Sequence, residues 1–249
     1  GGTTPIRIRE PNIHIAGQTA PFPGIQVKRN YINVQASEVF VEHLVIRPGD
    51  DPESLAPPFD SRDAFSIRCF SGDGELENIY VQNLTLQWGV DENMQIFPST
   101  VSNCTATDIT VDLVLNGPSL HRSKHPSGNP HGKGLIIGSN GLANMPKRIS
   151  ILRNIFAHND ERNPRWSTGD QLAVLNNLMY LNLAMTNAKV SEIGTGSDFT
   201  VPAQLLDYAG NHFTLGSSAS GIQFMLRSRA GPPSRSHIYF ANNQCAAGT

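Results

Sequence analysis

The sequence predicts an all-β fold: a parallel β-helix, a solenoid of short strands forming one domain over residues 1–249. Three observations predict it. A short unit recurs, made of alternating apolar residues, a polar residue that is often Asn, and further apolar residues. The units are unevenly spaced, as in a solenoid whose loops vary on one face. Signals for tight hairpins are scarce, with Asn116-Gly117 and Asn140-Gly141 the Asn-Gly pairs present, which argues against a β-sandwich.

Residues 12–17 (Asn-Ile-His-Ile-Ala-Gly) are the first strand-like unit. Residues 40–46 alternate around Glu42 and His43. Residues 79–86 place Gln82-Asn83 between Ile79-Tyr80-Val81 and Leu84-Thr85-Leu86, and residues 109–115 place Asp112 between Ile109-Thr110-Val111 and Leu113-Val114-Leu115. Asn154 divides 149–156, Asn176-Asn177 follow 172–175, Asn211 divides 208–213, and Asn242-Asn243 close 238–243. Val, Ile and Phe in alternation are β signals. The polar residue marks a sharp turn between strands, and Asn suits it because it tolerates left-handed backbone. Buried Asn side chains on successive turns would also bond one another, and Asn83 is expected in that stack.

Charged residues make up 16% of the chain and the net charge is -2, so no global field favours nucleic acid. No segment approaches the roughly 20 apolar residues of a membrane span. The chain opens on Gly1-Gly2-Thr3 and closes beside a strand-like segment, so its ends read as trimmed. A monomer is expected. Cys69, Cys104 and Cys245 lack metal-type spacing. They are read as three buried small apolar side chains, with one disulfide plus a free thiol as the alternative. The longest inserts, 48–63 and 116–134, are rich in Pro, Ser, Gly and charge, as functional loops often are. Asn83-Leu84-Thr85 and Asn103-Cys104-Thr105 fit the N-glycosylation pattern, Asn103 being the better placed.

Three stretches carry a resemblance. The first is Ile15-Ala16-Gly17-Gln18-Thr19-Ala20-Pro21 with Arg47-Pro48-Gly49-Asp50. The second is Arg62-Asp63-Ala64-Phe65-Ser66-Ile67 with Trp88-Gly89-Val90-Asp91-Glu92. The third is His131-Gly132-Lys133-Gly134-Leu135-Ile136 with the run from Asn154 through Arg162-Asn163-Pro164-Arg165. In this order and spacing the sequence resembles the pectate lyases over about two thirds of the chain; beyond Tyr180 only the strand rhythm continues. The resemblance implies a right-handed parallel β-helix, secretion, and Ca2+-dependent cleavage of polygalacturonate by β-elimination.

That reaction removes the proton on carbon 5 of a galacturonate, beside an anionic carboxylate. A divalent cation can neutralise the carboxylate and a basic group must meet the proton. The resemblance implies Asp63 and Asp91 as calcium ligands, with Glu92 and Asp60 as further candidates; calcium favours oxygen donors of this kind. Glu92 adjoins Asp91, and on a strand the two side chains would face opposite ways. Arg162 matches the family's catalytic arginine, acting as base or as stabiliser of the developing oxyanion, since guanidinium is hard to deprotonate. Lys133, His131 and Arg165 are implied substrate-binding residues, with Arg122, Lys124 and His125 adding positive charge near an acidic polysaccharide. Trp88 is read as a core or packing residue, with sugar stacking as the alternative. Departures from the family pattern are Gln82-Asn83, Gln95 and Ser167.

Two other readings stay open. A polygalacturonase-type hydrolase would need an acid and a base across the glycosidic bond, and no suitable Asp pair is found. A non-catalytic carbohydrate-binding β-helix would account for the missing ligands.

Overall fold

The structure, a computed structural model, describes residues 5–50, 62–69, 74–98, 104–126, 131–139, 142–181, 189–193, 205–215, 223–226 and 237–246. It is a right-handed parallel β-helix. Among the described residues, 24 strands form three parallel sheets of eight, and each coil gives one strand to each sheet. One coil shows the pattern: Lys133–Ile137 lies in the first sheet, Lys147–Leu152 in the second and Ile155–Ala157 in the third. No helix of the described residues is long and apolar enough to cross a membrane.

Alternation in the sequence becomes columns in the interior. Val39, Ile79, Ile109, Ile149, Leu172 and Leu206 stand in register on the second sheet, as do Val41, Val81, Val111, Ile151, Val174 and Tyr208. All twelve are buried. Each such aliphatic side chain contributes roughly 1.5–3 kcal/mol. Branched residues suit these columns because they pack well on a pleated surface.

Between the second and third sheets the chain turns abruptly. His43, Asn83, Leu113, Arg153, Asn176, Gly210 and Asn242 make successive turns, with φ from 51° to 67°. The next residue in each coil faces the interior. In the earlier coils it is aliphatic: Leu44, Leu84 and Val114. From Asn154 onward it is an amide. The backbone N–H of Asn154 donates to Asn177 Oδ1 at 2.8 Å, that of Asn177 to Asn211 at 3.0 Å, and that of Asn211 to Asn243 at 3.0 Å. The side-chain Nδ2 groups repeat the same links, so the buried amides satisfy one another.

The two duties expected of one Asn are therefore divided between neighbours. Asn83 is not in the buried stack; it is half-buried at the left-handed position, and Leu84 faces inward. Leu113, not Asp112, turns its coil. Asp112 instead ends its strand fully buried, where Arg153 and Tyr80 donate to it.

The cysteines follow the alternative reading, one disulfide plus a free thiol, and not three buried apolar side chains. Cys69 and Cys104 form a disulfide between adjacent coils, with Cα atoms 6.2 Å apart, and Cys245 is an exposed thiol. Thirty-five residues separate the bonded pair, and only the coil register makes them neighbours.

Candidate active site

The candidate residues gather at the leading edge of the first sheet, where turns from the third sheet deliver the chain to successive coils. Asp63 precedes the strand Phe65–Ile67, Asp91 precedes Glu92–Ile96, His131 precedes Lys133–Ile137, and Arg162 precedes Arg165–Trp166. The register places Met94 beside Phe65 and Glu92 beside Lys133. Four neighbouring coils thus bring their acids and bases to one edge.

Two features below the edge fix these positions. A buried amide network links Asn93, Asn116, Asn159 and Asn163. It lies beneath the acidic and basic loops, since Asn93 follows Glu92 and Asn163 follows Arg162. The glycines of His131-Gly132-Lys133-Gly134 permit close approach. A Cβ on Gly134 would stand 2.4 Å from the Arg162 carbonyl, and one on Gly132 would stand 2.7 Å from Asp160 Oδ2. The Arg162 carbonyl accepts from Leu135 N–H at 2.6 Å, and Arg162 itself is held at φ 65°. That left-handed backbone costs on the order of 1 kcal/mol, which the bonds around it sustain.

The carboxylates converge. Asp63, Asp91 and Glu92 each place an oxygen within 4.8 Å of the others. The alternation expected of Asp91 and Glu92 on a strand does not apply, because Asp91 lies in the turn and the strand begins at Glu92. Asp63 is fully buried. It accepts from Glu92 N–H at 3.0 Å, from the Ser66 hydroxyl at 3.1 Å and from the Gln95 amide. Burial, and then the neighbouring Asp91 charge, push its carboxyl well above the usual range. Burial also raises Asp91, but the hydrogen bond from His131 and the charges of His131, Arg162 and His125 outweigh it and hold Asp91 low. Environment thus separates two adjacent aspartates.

The cations are paired with this group. Arg162 contacts Glu92 and lies 3.8 Å from Glu161, and Lys133 bonds Glu161. His131 Nε2 lies 2.7 Å from Asp91. Arg68, Asp91, Glu92, Gln95, Phe97, Ile136 and Arg162 line a cleft of about 210 Å³. Two roomier troughs, of about 420 and 310 Å³, lie on the second sheet, and neither includes a residue of this group.

Other expectations fall differently. Arg165 stands on the same sheet, beside Ile136 and Glu192 in register. Gln82 lies on the second sheet beside Glu42 and Asp112, remote in register from the carboxylates, so that departure does not touch the ligand set. Gln95 does touch it, through Asp63. Trp88 is 43% exposed with the Arg47 guanidinium 5.2 Å from its ring centre, so it is no core residue. Arg122 and Lys124 are exposed, whereas His125 turns inward to Asp91. Asp60 and Asn103 lie outside the described residues.

Comparison with known proteins finds relatives of the chain. A probable pectate lyase C of Emericella nidulans is 24% identical over 213 residues, 85% of this chain and 40% of that protein. The chain is related to the pectate lyases. A second probable pectate lyase C, from Aspergillus terreus, is 26% identical over 85% of this chain and 41% of its own length, and one from Aspergillus flavus is 27% identical over 68% and 32%. The chain therefore spans about two fifths of the length of the pectate lyases it matches first. No protein-family model matches it.

Proposed function

We propose that the chain is the catalytic β-helix of a calcium-dependent pectate lyase that cleaves polygalacturonate by β-elimination. The observation that carries the reading is the meeting of Asp91, Glu92 and Arg162 in one cleft, with Asp63 buried against the two acids. The donor set fits calcium: three carboxylates, all oxygen, two of them buried, and one of these, Asp63, disfavoured in its charged form until a cation compensates it. When bound there, the cation supplies neutralisation of a uronate carboxylate and stabilisation of enolate-like charge.

The chain's own residues supply the rest. Arg162, flanked by Glu92 and Glu161, is suited to an electrophilic role: its donors stabilise the carboxylate charge that grows as the carbon 5 proton leaves to solvent-derived base. Lys133 brings a second cation to the same edge for a neighbouring uronate. His131 holds Asp91 ionised and aimed at the cleft. Secretion accords with the Cys69–Cys104 disulfide, because such bonds persist in oxidising surroundings.

The test is incubation with polygalacturonate, with and without a calcium chelator, following absorbance of unsaturated uronide. Product that disappears with chelator supports the reading, and absence of product at every calcium level overturns it. One observation favours a non-catalytic, carbohydrate-binding role instead: the Gln95 amide occupies a carboxylate the metal would use. Binding of polygalacturonate without turnover would select that role.

A further inference from the structure

His125 and His131 were not brought to Asp91 by any acid-ligand pattern, yet both face it. His131 Nε2 is 2.7 Å from Oδ1 and His125 Nε2 is 3.5 Å from Oδ2. The two imidazole rings stack in parallel, 3.6 Å apart. Both side chains are largely buried, at 10% and 12% exposure. A single histidine would be enough to hydrogen-bond the carboxylate. The second is held deliberately by the loop: the Ser123 hydroxyl donates to Val90 O at 2.8 Å and accepts from His125 N–H at 3.3 Å, while His131 N–H donates to His121 O at 3.1 Å. One nitrogen from each ring and one oxygen of Asp91 lie within 4.8 Å of one another.

We propose that Asp91, His125 and His131 form a binding site for a divalent transition-metal ion of the zinc or cobalt class, distinct in chemistry from the oxygen-only group of Asp63, Asp91 and Glu92. Imidazole nitrogen suits zinc, copper, nickel and cobalt, whereas calcium and magnesium take oxygen. Two histidines and one carboxylate are a three-residue set that leaves a coordination position for water or ligand. Binding requires the rings to splay from their parallel stack, because one ion must lie near the plane of each imidazole. Asp91 belongs to both groups, so a transition metal at the histidines withdraws an oxygen donor from the other three-acid set. The inference stands whether or not the chain is a lyase.

The test is titration of the intact chain with Co2+, free of calcium and near neutral pH, read by visible absorption and by equilibrium dialysis. The expected result is one cobalt per chain with ligand-field bands, displaced by Zn2+. His125→Ala and His131→Gln should each weaken binding by at least about tenfold, since loss of even an outer partner of a metal ligand costs that much. Circular dichroism melts of both variants establish that they fold. Glu92→Gln should retain the one-cobalt stoichiometry and the ligand-field bands, because Glu92 supplies no ligand to this site. Cobalt binding that survives His125→Ala and His131→Gln in folded protein, binding lost with Glu92→Gln, or no saturable absorption would each overturn the site.

Discussion

Arg162 and Glu92 come from different coils and meet as an ion pair, and Glu92 also belongs to the carboxylate group of Asp63 and Asp91. The candidate catalytic cation and the candidate metal ligands therefore share a carboxylate. In metal-free protein Arg162 is a principal charge offsetting these acids. Arg162→Ala is expected to lower stability in chelator by several kcal/mol, since breaking a buried pair costs on the order of 3–5 kcal/mol. Calcium should restore most of that loss while activity stays down by about 100- to 1000-fold. Thermal melts with and without calcium check the first part and uronide absorbance the second. Equal deficits in both melts would uncouple Arg162 from the metal site.

Asp63 predicts an unusual sign. Its carboxyl is raised first by burial and then by Asp91, so the folded state holds a proton more tightly than the unfolded chain, whose value is about 3.9. In metal-free protein that contribution is present below the unfolded value and is lost as pH rises through the folded one. Asp63→Asn should therefore be at least as stable as wild type in chelator at neutral pH. It should also lose the rise in melting temperature that calcium gives wild type. Gln95→Glu should move oppositely, with lower metal-free stability and calcium binding tighter by about tenfold, equivalent to ~1.4 kcal/mol. Calorimetric titration of the variants decides both.

Asn177 accepts from both nitrogens of Asn154 and donates to Ile151 O and Asn211 Oδ1. Asn177→Ala orphans a buried backbone N–H and leaves a gap. A loss of about 1–3 kcal/mol is expected for each group left unsatisfied. Denaturant unfolding measures it, and a change below that range would mean water takes the amide's place.

Asp112 predicts the ordinary carboxylate sign. Burial pushes it up, but bonds from Arg153 and Tyr80 outweigh this and its carboxyl is held low. Its contribution is present above the unfolded value of about 3.9 and disappears as pH falls through the lower folded value. Asp112→Asn should cost about 1–3 kcal/mol at neutral pH. The gap between variant and wild type should close in acid. A gap independent of pH would assign the loss to shape alone.

Much of the fold was legible because strand alternation is a local property. The columns through Ile79, Ile109 and Ile149 follow from residues that alternate within one strand. The turns were legible only in part. Asn fits both the left-handed position and the inward stack, so sequence could not show that Asn83 takes the first and Asn177 the second. Leu113 at positive φ carries no sequence signal at all. The acids of the site came from resemblance to known motifs, but their convergence depends on how far each coil's insert shifts the register, which no local pattern records. His125 was read as loop charge because its partner, Asp91, lies on the preceding coil. The Cys69–Cys104 bond was hidden for the same reason.

The amide stack also makes the molecule report on itself in time. Each of the backbone N–H groups of Asn154, Asn177 and Asn211 is held by the side chain of the following coil, not by its own. For any one of these protons to reach solvent, two coils must part. Their hydrogen-exchange rates, compared in order along the axis, would therefore read out whether the solenoid opens one coil at a time from an end or as a single block.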